Sequence, residues 1–280
     1  MLRTRVVTAV AVLAVLLGML FLAPPRGWSL FMLAVALVAC WEWSRMIGLG
    51  SRGQSAYLFL SGALGAFFWL LHDRDPGGAF AEAAGRAFLC ASIFWIVFVP
   101  AWLARHARPS PFACALAGWL VTWPTWFAFV ALRDAGPWLL LAIAALVWIA
   151  DIAAYFAGRA FGRRKLAPSI SPGKTWEGVI GALAGVVAYG AVLSWISRAR
   201  PLPFSELFTT EPTVAIIAAM LALAALSIVG DLFESWMKRG AGLKDSSGLL
   251  PGHGGVLDRI DALTSTLPVA AYALTLRSLA

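Results

Sequence analysis

The residues best suited to chemistry lie in one polar stretch that closes an apolar run, between Gly230 and Asp261. Asp231, Glu234, Ser235 and Lys238 are spaced so that a helix would place them all on one face. Ionisable groups at the end of a membrane helix cost free energy and are typical of functional sites. The alternative is an ordinary helix end, with Lys238 extending its ammonium group towards water.

The segment that follows is rich in glycine, with six glycines between Gly240 and Gly255. Such a backbone can approach a ligand closely and turn its N–H groups inward, and Pro251 stiffens it. His253 has a glycine on each side, which leaves its ring unobstructed. It could bind phosphate or act as an acid or base, whereas a turn residue is the alternative.

Two carboxylates, Asp258 and Asp261, come next and share one face if a helix begins there. This spacing suits Mg²⁺, which takes one or two carboxylates together with water and phosphate oxygens. Asp231 could close the same site from the other side of the glycine-rich segment. The alternative is a structural ion pair with a neighbouring cation: Lys238, Arg239 or Arg259.

A second polar patch lies upstream, where Asp151 sits inside an apolar run. A charged residue in a membrane span costs free energy and is typical of a functional site. The nearby Gly-Lys-Thr invites a P-loop interpretation, but Pro168 occupies a position that requires glycine, and no strand is expected before it. We predict a small basic loop that suits phosphate, while Glu177 complements the dipole of a following helix. The expected phosphate contacts are Ser171, Lys174 and Thr175.

The elements that must position these residues are membrane helices. Of the 280 residues, 61% are apolar and 13% are charged, about half the charge of a soluble domain. This composition excludes a soluble enzyme and a disordered binder, because so much apolar surface could not be hidden from water. Long apolar runs indicate helices and not a barrel. We therefore predict an all-α polytopic integral membrane protein with about nine transmembrane helices and a cytoplasm-facing polar site in its C-terminal half.

The spans divide into two regions of different character. Residues 1–136 hold apolar spans joined by short linkers, whereas residues 137–280 also hold the polar motif segments 151–178 and 230–261. The nine spans are expected to begin near Val6, Gly27, Ala56, Ala87, Phe112, Pro137, Trp176, Thr213 and Ala262.

The net charge of +8 indicates how the chain is oriented in the membrane and does not indicate nucleic-acid binding, because the cations are scattered between apolar runs. With a cytoplasmic N-terminus, roughly two thirds of the 22 Lys and Arg residues fall inside. Both polar motif segments then face the cytoplasm. The short loops suggest a bacterial plasma (inner) membrane.

Four motifs together resemble the phosphatidate cytidylyltransferase (CDP-diacylglycerol synthase) family. They are Ser235-x-x-Lys238-Arg239, Lys244-Asp245, Pro251-Gly252-His253-Gly254-Gly255 and Asp258-Arg259-x-Asp261. Two upstream motifs are similar to the same family: Asp151-x-x-Ala154-Tyr155-x-x-Gly158-Arg159 and Ser171-Pro172-Gly173-Lys174-Thr175-Trp176-Glu177-Gly178. The N-terminal half matches only as a string of spans.

The resemblance implies a reaction in which phosphatidic acid and CTP give CDP-diacylglycerol and pyrophosphate, with Mg²⁺ and a monovalent cation such as K⁺. The catalytic set that it implies is Lys238, Arg239, Lys244, Asp245, His253 and Asp258. The substrate-binding set is Asp151, Arg159, Ser171, Lys174, Thr175, Glu177, Ser235 and Arg259. The metal set is Asp231, Asp258 and Asp261.

Three other functions are alternatives to this one. A CDP-alcohol phosphotransferase needs a glycine after its second aspartate, and Ala262 stands there instead. A CTP-dependent lipid kinase differs in which phosphorus is attacked, so its products would distinguish it. A transporter would spread its ionisable residues at mid-membrane depth across inverted repeats. The sequence leaves open whether the chain forms a homodimer.

Overall fold

Long helices connected by short turns make up most of the chain, whose computed structural model describes residues 2–105, 109–200 and 202–279. The first half contains α1 (Leu2–Leu22), α2 (Pro25–Met46), α3 (Ser51–Arg74), α4 (Ala79–Ile93), a π-helical turn (Phe94–Phe98), α5 (Val99–Arg105) and α6 (Pro111–Ala135). The second half contains α7 (Pro137–Phe161), β1 (Lys165–Ala167), β2 (Ser171–Thr175), α8 (Trp176–Ala199), α9 (Ser205–Thr210), α10 (Thr213–Gly240) and α11 (Leu257–Leu279).

Eight helices in the described parts of the chain are long and apolar enough to cross a membrane. The all-α polytopic prediction is therefore supported, whereas the count of nine is not confirmed. The difference is α11, expected to begin as a span near Ala262. It begins at Leu257 and carries Asp258, Arg259 and Asp261 in its first turns, which lower its hydropathy.

Despite its polar content, α11 runs through the interior of the bundle, packed against α4, α6 and α10. The hydroxyl of Thr264 donates to the Asp261 carbonyl at 2.6 Å and that of Thr266 donates to the Ala262 carbonyl at 3.0 Å. Ser265 donates across to the Leu226 carbonyl of α10 at 2.8 Å. These bonds satisfy the buried hydroxyls, so α11 can lie among apolar helices without stranded polar groups.

The segment after α7 corrects one expectation, because Ser171–Thr175 is a strand and not a loop. It pairs antiparallel with β1, placing Thr175 opposite Lys165 and Ser171 opposite Ala167. The chain reverses between two long helices here, and its backbone groups satisfy one another across the hairpin. Gly173-Lys174-Thr175 therefore lies within β2 and is preceded by the strand β1. An antiparallel hairpin is still not a P-loop.

The helices α7 and α8 approach each other closely through small residues. An added Cβ at Gly181 would meet the Cβ of Ala157 and lie 2.9 Å from the Ala153 carbonyl oxygen. Gly185, one turn later, faces Ala153 in the same way, at 2.8 Å from its Cβ. Small residues at this spacing let two helix backbones pack closely in a membrane, and this contact sets the position of the β-hairpin between them.

Replacing Gly181 by alanine should lower the unfolding temperature of the detergent-purified protein, because the new methyl group would force α7 and α8 apart. Overpacking of this kind typically costs about 1–3 kcal/mol. Gly62→Ala in α3 is the matched control, since nothing lies within 4 Å of the Cβ added there. Equal unfolding temperatures for the two variants would contradict the close packing of α7 on α8.

The polar end of α10 is held from behind by aromatic side chains. Phe233 packs against Trp43 of α2 and against Phe94, Trp95 and Trp102 of the α4–α5 segment, with ring centroids 5.5–6.2 Å apart. One turn before Phe233, Gly230 lies where an added Cβ would be 2.8 Å from the carbonyl oxygen of Asp261. The start of α11 is therefore pressed directly against the charged turn of α10.

Candidate functional site

The charged face predicted for the end of α10 is confirmed. The hydroxyl of Ser235 donates to Asp231 Oδ1 at 3.3 Å, and Lys238 Nζ donates to Glu234 Oε2 at 2.6 Å. These side chains lie one helical turn apart, as their spacing required.

Lys238 does not extend towards water, since only 8% of its surface is exposed. Its ammonium group lies between two carboxylates, 2.6 Å from Glu234 Oε2 and 2.5 Å from Asp258 Oδ1. The structural ion pair that the sequence left open for Asp258 is therefore present. Lys238 therefore links α10 to the start of α11. Removing one partner of such a buried ion pair strongly destabilises a protein, because the other charge is left buried and unpaired.

Asp258 also anchors the glycine-rich segment at two points, Ser246 in its middle and Gly255 at its end. Its Oδ2 accepts hydrogen bonds from the backbone N–H of Ser246 at 2.9 Å, from the Ser246 hydroxyl at 2.9 Å and from the backbone N–H of Gly255 at 2.7 Å. Gly254 has φ +81°, a left-handed conformation that glycine adopts most easily. An added Cβ on Gly255 would collide with Ser246 Oγ and Glu42 Oε1, so these glycines are needed for the segment to close.

Glu42, on α2, is a site residue that the sequence analysis missed. Its side chain is fully buried, and its carboxylate accepts hydrogen bonds from the Ser246 and Ser247 hydroxyls at 3.0 and 2.5 Å. It also accepts from the backbone N–H groups of Val256 and Leu257 at 2.9 and 2.7 Å. The available signal was a carboxylate inside an apolar span, the same criterion that singled out Asp151.

The two polar motif segments meet through an ion pair between Lys174 of β2 and Asp231 of α10. Lys174 Nζ lies 2.7 Å from Asp231 Oδ2, and both side chains remain partly exposed. The carboxylates of Asp151 and Asp261 are near enough to interact electrostatically with both Asp231 and Lys174. The result is an acidic cluster around one ammonium group, where α7, α10, α11 and the hairpin converge.

No group of three or more His, Cys, Asp or Glu side chains is arranged to hold a metal within residues 2–105, 109–200 and 202–279. Of the three expected ligands, Asp231 and Asp261 lie in the acidic cluster. Asp258 instead directs one oxygen at Lys238 and the other at backbone and hydroxyl donors. The expected trio is therefore divided between two neighbouring clusters.

Several upstream residues make local contacts that stabilise the hairpin. The Thr175 hydroxyl accepts from the Gly178 N–H at 3.1 Å and caps α8. Glu177 accepts from the backbone N–H groups of Arg163 and Arg164 at 3.1 and 3.2 Å. The other two upstream residues of the expected set lie nearby: Arg159 donates to the Tyr155 hydroxyl at 3.0 Å, and Ser171 is partly buried in β2.

Four charged residues around the glycine-rich segment are exposed. Arg239 donates to the Leu243 carbonyl at 3.1 Å, and the others are Lys244, Asp245 and Arg259. His253 is partly buried, and its ring Nδ1 is buried without a hydrogen-bond partner in the described part of the chain. Three of these side chains are cations at the surface beside the segment: Arg239, Lys244 and Arg259.

An apolar groove of about 580 Å³ adjoins the same segment. Its walls come from α1, α2, α7 and α11, and His253 and Arg259 lie among its lining residues. The hydroxyl of Thr8 on α1 donates to the Pro251 carbonyl at 3.1 Å, which fixes α1 beside the glycine-rich segment. A long apolar ligand with an anionic end fits this combination of groove and basic residues.

Comparison with known proteins gives a consistent result across the chain. A sequence model of the cytidylyltransferase family matches residues 3–277. A protein of Haemophilus influenzae named phosphatidate cytidylyltransferase is 36% identical over 97% of this chain and 98% of its own length. Proteins of the same name from Pseudomonas aeruginosa and Brucella suis are 38% and 35% identical, each over 98% of this chain and over 97% and 91% of their own lengths.

Proposed function

The chain belongs to the cytidylyltransferase family, and on that premise we propose that it transfers a cytidylyl group from CTP to phosphatidic acid. An oxygen of the lipid phosphate attacks the α-phosphorus of CTP, and the bond from that phosphorus to the β-bridging oxygen breaks. The products are CDP-diacylglycerol and pyrophosphate. The observation that carries the proposal is the similarity to phosphatidate cytidylyltransferases over nearly the whole chain.

The chain's own residues would act mainly by binding and neutralising phosphates, as phosphoryl-transfer chemistry requires. The nucleophile is already an anion, so no strong general base is needed. The buried Lys238 cannot reach a ligand without leaving Glu234 and Asp258, so we assign it to positioning. The exposed groups that would contact the phosphates are Arg239, Lys244 and Arg259, with His253 beside them.

The apolar groove supports a lipid as the second substrate. Its lining is almost entirely apolar, which suits an acyl chain, and His253 and Arg259 at the groove suit an anionic headgroup. A lipid phosphate held there would lie beside the glycine-rich segment, where the triphosphate of CTP is expected.

The acidic cluster fits a divalent cation, since the ammonium group of Lys174 already lies against Asp231 as a cation would. Asp231 and Asp261 would hold Mg²⁺, which needs only one or two carboxylates. Asp258 could contribute Oδ1 only by giving up Lys238. The ion, when bound, would supply charge neutralisation for the CTP phosphates.

We further propose a bacterial inner-membrane location with the N-terminus and the site facing the cytoplasm, where CTP is available. The distribution of basic residues supports this orientation. Cysteine labelling from either side of sealed vesicles would test it. Sizing of the purified protein in detergent would test for a homodimer.

The decisive test of the reaction uses the purified protein with phosphatidic acid, CTP and Mg²⁺. We expect equal amounts of pyrophosphate and lipid-linked cytidine, both abolished by EDTA and restored by added Mg²⁺. Replacing K⁺ by choline in the same assay would test the monovalent cation. Release of CDP without pyrophosphate would overturn the proposal in favour of a lipid kinase, and no turnover by folded protein would overturn both.

A further inference from the structure

We propose that Glu42 is a positioning residue for nucleotidyl transfer, which holds the start of α11 and the Ser246–Ser247 turn in the arrangement that the reaction requires. The inference rests on the proposed function for its kinetic consequence but not for its structural one. It gives the N-terminal helices a role in the site, although their sequence resembles the family only as a string of apolar spans.

The contacts of Glu42 form a cap that comes from another helix. The first N–H groups of any helix lack partners within that helix. At the start of α11, Val256 and Leu257 donate to different oxygens of Glu42, and the preceding N–H of Gly255 donates to Asp258. Three consecutive backbone donors are thus satisfied by two carboxylates, one on α2 and one on α11 itself.

Burying the carboxylate of Glu42 inside the helix bundle costs free energy, which its contacts must offset. A fully buried carboxylate loses its hydration, and its four donors here are neutral hydroxyl and N–H groups. The positive end of the α11 dipole compensates part of the charge. An apolar residue in α2 would avoid this cost, but it would leave the N–H groups of Val256 and Leu257 and the Ser247 hydroxyl without their acceptor.

Ser246 connects Glu42 to the ion pairs of the site. Its hydroxyl lies 3.0 Å from Glu42 Oε2 and 2.9 Å from Asp258 Oδ2, and its single proton can be donated to one of them at a time. Asp258 in turn pairs with Lys238. A shift of Glu42 would therefore move the first turn of α11, and with it Asp258 and Asp261.

The test replaces Glu42 by glutamine, which keeps the size of the side chain. An amide has one acceptor oxygen, so its NH₂ group would face a backbone N–H of α11, which cannot accept a hydrogen bond. Ser44→Ala is the matched control. Ser44 is buried on the same helix, and its hydroxyl bonds to the Trp41 carbonyl at 2.7 Å and to Gln54 at 3.0 Å, away from the site.

Two readouts are measured on the full-length protein in detergent: steady-state kinetics and hydrogen–deuterium exchange. For Glu42→Gln we expect kcat to fall about 100-fold, which is the typical cost in rate of a slightly misplaced reacting group. The KM for CTP should change little. Amide exchange should accelerate in residues 246–257 and not in α6. Ser44→Ala should show neither change, although both variants should be recovered as folded protein.

A double-mutant cycle separates positioning from general destabilisation. Because Glu42 and Ser246 act on the same turn, Glu42→Gln combined with Ser246→Ala should lose little more activity than the worse single variant. Ser44→Ala combined with Ser246→Ala should be additive. If Glu42→Gln fails to fold, Ser247→Ala, which removes one donor to the same carboxylate, should still accelerate exchange in residues 246–257.

Wild-type kcat in Glu42→Gln, unchanged exchange in residues 246–257, or full additivity in the cycle would each overturn the inference. An inactive wild-type protein would contradict the proposed function and not the role of Glu42. The exchange measurement would still decide whether Glu42 holds the start of α11.

Discussion

Asp258→Asn should lower turnover by at least about 100-fold, because the change disrupts the contacts that organise the site. Asparagine would present an NH₂ group either to Lys238 Nζ or to the N–H groups of Ser246 and Gly255, all of which are donors. Lys238 would keep only Glu234 as a partner, and breaking a buried ion pair in this way typically costs about 3–5 kcal/mol. Both the start of α11 and the glycine-rich segment would lose their shared anchor.

The measurement compares turnover and unfolding temperature in Asp258→Asn and Asp134→Asn. Asp134 is the matched control because it lies near the end of α6 and contacts His72 at 3.2 Å, outside the site. We expect the control to keep its turnover even where its stability falls. Comparable losses of activity in the two variants would mean that Asp258 matters only for stability.

Gly255→Ala is the second change for which a large effect is expected. The added methyl group would collide with the hydroxyl of Ser246 and the carboxylate of Glu42, and neither neighbour can move without giving up several hydrogen bonds. Because protein interiors are closely packed, the glycine-rich segment would have to open. We expect turnover below about 1% of wild type, because a small displacement of groups at a reacting centre can slow a reaction about 100-fold.

Gly248→Ala is the matched control in the same segment. Nothing lies within 4 Å of a Cβ added at Gly248, so the variant should turn over normally. Comparing the two variants shows whether turnover is lost because alanine restricts the backbone of the segment or because the methyl group collides with its neighbours at Gly255. Normal activity in Gly255→Ala would contradict the packing of Glu42 against the start of α11.

The charged face of α10 could be predicted from sequence because it depends on helical spacing alone. Asp231, Ser235 and Lys238 are close in the chain, and the helix that carries them is strongly apolar. The strand at Ser171–Thr175 could not be predicted, since five residues containing proline and glycine lack a strand pattern. Its pairing is dictated by the reversal between α7 and α8.

The role of Asp258 and the contribution of Glu42 required the tertiary structure. Spacing places Asp258 beside Asp261 on one helical face, but it does not reveal that Lys238 lies across the crossing with α10. Glu42 is more than 200 residues from its partners in the sequence, so local pattern could only mark it as unusual. Long-range contacts of buried charges are the part of the site that periodicity does not encode.

The most direct test of the central claim follows the fate of each phosphorus of CTP. Purified protein is incubated with phosphatidic acid and Mg²⁺ and with CTP labelled at either the α- or the γ-phosphorus. We predict that the α label enters the lipid fraction while the γ label is released as pyrophosphate. Transfer of the γ label to the lipid, with the α label left in CDP, would contradict the account and identify a lipid kinase.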